Sequence, residues 1–407
     1  MHELRRNLTK DKRSKIVLFV LDGVGGIPYP KLTELESAKT PSLDKLVKKS
    51  ETGAHIPILS GLTPGSGAAH LSLFGYDPLS YNIGRGILEA LGLDVHVTDK
   101  DLLIRGNFST AKGNGAKIII TDRRAGRITT ETNKRVIKIL QSKIKNIDGV
   151  GVEFIPGLEH RFVCKLKFKR KLESTESMIV DTDPEEVGVP PLAPKNINKK
   201  SLKVSKIITK LISLIRIALK NEKRANYVLL RGFSVFPKIP TIQSLYGLRA
   251  ASIVTYPMYK GISKLVGMTP LRVKGSSIES QVQTLKEEFD NYDFFYFHIK
   301  KTDSFGEDGN FREKIKVIEN FDKQLEKVLK LRFDVVCITG DHSTPSKMKS
   351  HSWHPVPVII NSKNSFYGTS KRFTEKECIK GMMGLFEGKN LMNFILAHAE
   401  MLSKFGA

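Results

Sequence analysis

The chain has 407 residues, 40% of them apolar, and sets 66 Lys plus Arg against 42 Asp plus Glu for a formal charge of +24. That apolar content supports a packed core of about two domains and excludes a disordered chain, while three cysteines (Cys164, Cys337, Cys378) are too few for a disulfide framework. No apolar run approaches the roughly 20 residues of a membrane span, and the basic start, residues 1–15, lacks the apolar stretch and cleavage pattern of a secretion signal, so a soluble, cytoplasmic protein is expected.

The elements follow in chain order. Residues 15–21 form a continuous β-branched and aromatic run that breaks at Asp22-Gly23-Val24-Gly25-Gly26, and 41–49 carry Leu43, Leu46 and Val47 at helical spacing. From about residue 91 to 204 the pattern changes: 161–168 place Phe162, Cys164, Leu166 and Phe168 on one face, the alternation of a sheet with one wet side. Pro190, Pro191 and Pro194 with Lys199, Lys200 and Lys203 read as a linker, and 205–220 as an amphipathic helix packed on a sheet. Further buried-type strands are expected at 226–230, 250–254, 293–297, 333–339 and 356–360. The whole predicts an α/β protein with a mostly parallel sheet flanked by helices, interrupted by a smaller inserted α+β domain.

The charge excess is spread along the chain, +3 over residues 1–90, +8 over 91–204 and +13 over 205–407. Nucleic-acid binders gather cations on a stripe interleaved with aromatics or a reading motif, and none is present, so neither nucleic acid nor membrane is expected as a partner. A solvated basic surface is the first reading and small anionic ligands the second.

Three expected strands end in groups that ligate metals. The first gives Asp22. The strand at 293–297 leads to His298, Lys300, Asp303 and Glu307, and that at 333–339 to Asp341 and His342, with His351 and His354 beyond. Strands of a parallel sheet carry their carboxyl ends on one edge, where distant residues converge. Carboxylates with imidazoles suit Zn or Mn, and an all-oxygen shell Mg or Ca. Singly, such residues are turn formers or packing histidines; jointly they indicate a metal centre. Ser66, in Thr63-Pro64-Gly65-Ser66-Gly67-Ala68-Ala69-His70-Leu71, sits at a predicted helix start near Gly67. It reads either as an N-cap or, against a metal, as a nucleophile toward phosphorus or an acyl group. The run Asp122-Arg123-Arg124-Ala125-Gly126-Arg127, after a strand expected at 116–121, offers guanidiniums to a phosphate or carboxylate or is a solvated turn, with Asp122 an arginine partner or a base.

Together these pieces resemble the cofactor-independent phosphoglycerate mutases, in the archaeal-type branch of the alkaline phosphatase superfamily. The resemblance runs through Leu21-Asp22-Gly23, Pro64-Gly65-Ser66, Gly84-Arg85-Gly86, Asn107-Phe108, the Asp122–Arg127 run, Glu159-His160-Arg161 and Asp181-Thr182-Asp183-Pro184. It continues in Leu230-Arg231-Gly232, Tyr246-Gly247-Leu248, Lys264 to Met268, His298-Ile299-Lys300, Asp308-Gly309-Asn310 and Gly340-Asp341-His342-Ser343-Thr344-Pro345. It implies an alkaline-phosphatase-like catalytic domain from residues 1–90 and 205–407, with 91–204 inserted to bind substrate. It further implies interconversion of 3-phosphoglycerate and 2-phosphoglycerate, a small anionic substrate, through a phosphoserine and without 2,3-bisphosphoglycerate. Ser66 would be the nucleophile and ligate one metal with Asp22, Asp341 and His342. Asp303, the residue at position 307 and His351 would hold a second. His70, Asp122, Arg123, Arg127, Arg161 and Lys300 would contact substrate, closure of the domains would exclude water, and Asp122, Asp181 and Asp183 are the candidate bases.

One position departs from the family pattern. Glu307 stands where relatives have histidine, which leans the second site toward Mn or Mg over Zn, with His354 as an alternative ligand. The expected cofactors are therefore two divalent ions, manganese first, with Zn, Co or Mg as alternatives. The other readings are a related metal-dependent phosphotransferase or phosphatase acting on another small phosphorylated metabolite, and a paralogue with an impaired second metal site. Oligomeric state leaves no signal in the sequence.

Overall fold

The computed structural model describes residues 2–81 and 83–406, so the first and last residues of the expected larger domain lie outside them. It divides into two compact units, Met1–Asn82 with Ile239–Ala407, and Ile83–Lys238. The strands in chain order are β1 (Ile16–Leu21), β2 (Glu51–Ile56), β3 (Asp101–Lys112), β4 (Ile119–Asp122), β5 (Asn146–Ile147), β6 (Val150–Pro156) and β7 (Arg161–Lys167). They continue with β8 (Tyr227–Val235), β9 (Ala250–Ile253), β10 (Thr269–Pro270), β11 (Phe294–Ile299), β12 (Val335–Thr339), β13 (Val356–Asn361) and β14 (Gly384–Glu387).

The larger unit is built on a sheet with strand order β10-β9-β11-β1-β12-β13-β2-β14. It is mostly parallel, with β13 antiparallel to both neighbours. The unbroken apolar runs of β1, β11 and β12 are what a sheet covered on both faces requires, and every residue of the three is buried. Phe19 meets Phe297 of the neighbouring strand and Phe321 of the helix Phe311–Leu329, part of the cluster that holds the sheet. Among the described residues no helix is long and apolar enough to cross a membrane.

The smaller unit carries the order β4-β3-β7-β6-β5, with β8 pairing β3. Two sequence expectations are corrected here. The strand expected at 226–230 runs as β8, antiparallel to β3, and the helix Leu202–Ala218 buries Ile207, Ile208, Leu211 and Ile215 in the same core. Both belong to the smaller unit, whose boundary is Lys238 rather than 204. The proline- and lysine-rich stretch is likewise no linker between units, because Lys195 O accepts from Val180 N and Leu192 N donates to Thr182 O within the smaller one. Composition misled because the prolines mark an irregular but hydrogen-bonded segment.

One buried carboxyl in the larger unit gives stability a pH dependence. Glu375 accepts from Gly26 N and Thr33 Oγ1, both at 2.8 Å, and burial pushes its pKa up to about 7. The folded state then holds its proton more tightly than the unfolded chain. Its contribution is complete below the unfolded value of about 4.5 and is lost as pH rises through about 7, a change on the order of 3 kcal/mol. Glu375→Gln is expected to flatten the fall in urea midpoint between pH 5 and 8; an unaltered slope would assign the dependence elsewhere.

Candidate functional site

The parallel register sets the site. β1 lies between β11 and β12, with Leu21 level with Ile299 and Val20 level with Thr339. Asp22, the Lys300–Asp303 segment and Asp341-His342 therefore leave the sheet side by side, and Asp22, Asp303, Asp341 and His342 are all buried. Two donor groups result, Asp22 with Asp341 and His342, and Asp303 with His342 and His351, each gathered within 4.8 Å. His342 belongs to both. Its Nε2 is 3.5 Å from Asp22 Oδ1 and 3.2 Å from Asp341 Oδ2. The His351 ring stacks on it at 3.7 Å with Nε2 3.4 Å from Asp303 Oδ1.

Hydrogen bonding fixes the imidazole tautomers. Thr344 Oγ1 donates to Asp303 Oδ1 at 2.7 Å, so His342 Nδ1, 3.0 Å from the same hydroxyl, is the donor to it. His351 Nδ1 lies 2.9 Å from the Pro64 carbonyl and donates there. His351 Nε2 thus turns a lone pair toward Asp303 with no proton between them, and His342 Nε2 faces the Asp22 and Asp341 carboxylates with the Ser66 hydroxyl as its hydrogen-bond donor. Asp22 Oδ1 and Asp341 Oδ2 are also buried without a hydrogen bond of normal geometry. Lone pairs converging with unpartnered carboxylates in a dry space need a cation, and mixed O/N donors of this kind suit divalent ions. The residues present fit metal.

The remaining charges hold this arrangement. Lys300 Nζ is 2.5 Å from Asp303 Oδ2 and 3.4 Å from Asp22 Oδ2. Burial opposes its charge, but Asp22 and Asp303 outweigh burial and hold its pKa above the usual value. Burial likewise opposes ionisation of Asp22, yet Lys300 and the hydrogen bond from His298 keep its carboxyl well below the usual range. Glu307 Oε1 is 3.8 Å from His351 Nε2, half exposed, and its pKa is raised by burial and by Asp303.

Ser66 is the first residue of the helix Ser66–Leu73, and the N-cap is Gly65. The N-cap reading of Ser66 is therefore set aside. Its hydroxyl lies 3.2 Å from His342 Nε2 and donates to that lone pair. His70, one turn on, is wholly buried, with Nδ1 2.8 Å from Ser66 O and 3.1 Å from Asp341 Oδ2. It supports the carboxylate and has no surface left for substrate. His354, whose Nδ1 lies 3.1 Å from Ser352 Oγ, joins neither donor group.

In the smaller unit the expected residues have more structural duties than their sequence suggested. Asp122 accepts from Arg124 N and Gly126 N and so shapes its own turn. Arg123 grips buried Asp183 at 2.8 and 3.0 Å, and Arg231 adds a third bond at 3.1 Å. Asp181 accepts from Gly232 N at 2.8 Å. Guanidiniums nevertheless accumulate: burial and then Arg161, Arg124, Arg105 and Arg127 push His160 down to about 4, and burial with Arg161, Arg85 and Arg231 lowers Arg105.

Three supporting residues escaped the sequence reading. His298 Nε2 donates to Asp22 Oδ2 at 2.8 Å beneath a stacked Tyr259; it was visible as a strand-end histidine, without a role. Thr344 was one of a quoted motif. Lys314 lies on the buried stripe shared with Ile318, Phe321 and Leu325, so helical periodicity is the signal that could have found it.

Fold and site together define a mostly parallel α/β protein whose sheet edge gathers carboxylates, imidazoles and a serine fit for divalent metals. The model of the 2,3-bisphosphoglycerate-independent phosphoglycerate mutase family matches residues 47–224. A protein of Aquifex aeolicus named as a probable member is 53% identical over 401 residues, covering 98% of each chain, and one of Thermosipho melanesiensis is 50% identical over 406, covering 100% of this chain and 99% of that one. Among solved structures, a Pyrococcus horikoshii protein superposes with TM-score 0.81 at 27% identity over 97% of this chain and 100% of its own. A cofactor-independent phosphoglycerate mutase from Thermoplasma acidophilum gives 0.67 at 26% over 95% and 100%. The chain belongs to the 2,3-bisphosphoglycerate-independent phosphoglycerate mutase family.

Proposed function

We propose that the chain interconverts 3-phosphoglycerate and 2-phosphoglycerate through a phosphoserine on Ser66, at a centre that takes two divalent metal ions. The observation that carries this reading is the placement of Ser66, whose hydroxyl caps no helix and points at the one imidazole common to both donor groups. Family membership supports the substrate class.

Asp22, Asp341, His342 and Ser66 would hold one ion, and Asp303, His351 and Glu307 the other. Bound there, divalent ions lower the pKa of a serine hydroxyl and neutralise charge on a phosphoryl group. The chain supplies the rest. Ser66 Oγ forms a bond to phosphorus and gives up its proton, while the glycerate oxygen that leaves gains one. The free glycerate then presents its other hydroxyl to the phosphoserine, which regenerates Ser66 with no water consumed. The N-terminus of the helix Ser66–Leu73 and the ammonium of Lys300 add positive charge where the phosphoryl develops negative charge. In the smaller unit Arg127 and Arg161, with Arg105 behind them, would bind the substrate's anionic groups. Asp122 and Asp183 are committed to a turn and to ion pairs, and Asp181, which accepts from Gly232 N and stands 3.6 Å from Arg231 Nε but keeps a partly exposed carboxylate, would be the candidate base.

The test is a mutase assay on purified protein, coupled to consumption of 2-phosphoglycerate, with Mn, Co, Mg or Zn added. Isomerisation is expected with manganese. No turnover with any ion would overturn the proposal, and phosphate release without isomerisation would favour a hydrolase. Restoring imidazole with Glu307→His is expected to tighten the weaker Mn2+ site by about tenfold or shift preference toward Zn2+; identical binding isotherms would remove position 307 from the ligand set.

A further inference from the structure

Lys314, in the helix Phe311–Leu329, is a fully buried cation more than a helix turn from any proposed ligand in sequence. Its ammonium donates to Gly23 O at 2.9 Å, Gly25 O at 3.2 Å and Thr344 O at 2.8 Å, which uses all three of its protons. Glu34 Oε1 stands 3.6 Å away as counter-charge and accepts from Ser346 N at 2.9 Å. Desolvating an ammonium costs several kcal/mol, so a lysine in this position has to be matched by what it holds together.

What it holds is the pair of loops that carry the donor atoms. Gly23 and Gly25 follow Asp22 at the end of β1, and Thr344 follows Asp341-His342 at the end of β12. The loops are already laced to each other: Thr344 N shares Gly23 O and Gly25 O at 3.2 and 3.1 Å, and Gly23 N donates to Asp341 Oδ1 at 3.1 Å. Gly23 has φ +61°, and a Cβ there would stand 2.8 Å from Asp303 Oδ1, so the backbone passes where a side chain would not fit. Three carbonyl dipoles thus converge on one point, where Thr344 N reaches two of them and the Lys314 ammonium brings a full positive charge to all three. Thr344, held there by its carbonyl, is the residue that fixes Asp303 and the His342 tautomer.

We propose that Lys314 is a positioning residue that stands in for a structural monovalent cation, locking the β1 and β12 loops so that Asp22, Asp303, Asp341 and His342 present their donor atoms before metal arrives. The inference rests on the metal reading above and concerns only how the chain prepares that centre. It predicts two things a purely structural lysine does not: loss of Mn2+ affinity in a folded variant, and rescue by an amine of the right length.

The experiment compares Mn2+ binding by calorimetry in the wild type, Lys314→Met and Lys314→Ala, the last with and without n-propylammonium, which replaces the atoms removed. Folded Lys314→Met is expected to bind Mn2+ about 10- to 100-fold more weakly, the usual effect of losing a group that orients ligands. Propylammonium is expected to recover most of that loss in Lys314→Ala and to change nothing in the wild type. A lowered unfolding midpoint with unchanged Mn2+ affinity would overturn the proposal, as would no response to the amine. If neither variant folds unaided, recovery of folded, Mn2+-binding Lys314→Ala in propylammonium supports it and no recovery overturns it. Failure of the wild type to bind Mn2+ would instead overturn the metal reading.

Discussion

Ser66→Ala is expected to lower mutase turnover by at least about 10⁴-fold, the scale of removing a nucleophile that acts as one unit with its neighbours. The fold should survive. Gly65 supplies the N-cap, and the Ser66 hydroxyl makes no capping bond, so alanine at the first helical position should shift stability by no more than about 0.5 kcal/mol. Among the described residues, the hydroxyl's partner that is lost is His342 Nε2, at 3.2 Å. Circular dichroism and the urea midpoint check the fold, and the coupled assay checks turnover. Because His342, His351 and the carboxylates are untouched, Mn2+ should still bind, more weakly at the site Ser66 is proposed to share. Residual turnover within tenfold of wild type would contradict a covalent route through this serine.

His342→Ala is expected to weaken both metal sites at once. Its Nε2 faces Asp22 and Asp341 on one side, its ring stacks on His351 on the other, and Thr344 ties it to Asp303. Losing it should cost the site it ligates at least about 100-fold in Mn2+ affinity, and the other site, whose His351 and Asp303 it positions through the stack and Thr344, about tenfold. His351→Ala is the control, since His351 contacts Asp303 and Glu307 but neither Asp22 nor Asp341. Calorimetry should then show two weakened sites for the first variant and one for the second. Loss of a single site in both would mean that His342 does not position the second site.

The carboxylate and imidazole half of this arrangement was legible in the sequence because parallel strands advertise themselves. The apolar runs before Asp22, His298 and Asp341 had to be buried on both faces, and their ends had to share an edge. Ser66 was legible as a candidate but not as a choice, since a serine among glycines looks the same whether it caps a helix or faces an imidazole. The smaller unit was harder. β8 has the buried run of a parallel strand yet pairs antiparallel with β3, and nothing local distinguishes the two partners. Asp122 and Asp183 carried the right chemistry for a base, but whether a carboxylate is free or committed to backbone amides and guanidiniums is a tertiary property. Glu307 was visible as a substitution; its half-exposed position beside His351 was not.

If phosphate travels through Ser66, rapid-quench mass spectrometry of the wild type should catch it there. Protein mixed with Mn2+ and 3-phosphoglycerate, quenched in acid within a turnover and digested, is expected to carry one phosphoryl group on the peptide containing Ser66, forming no more slowly than product. Full turnover with that peptide unmodified at every time point would rule out a phosphoserine at Ser66.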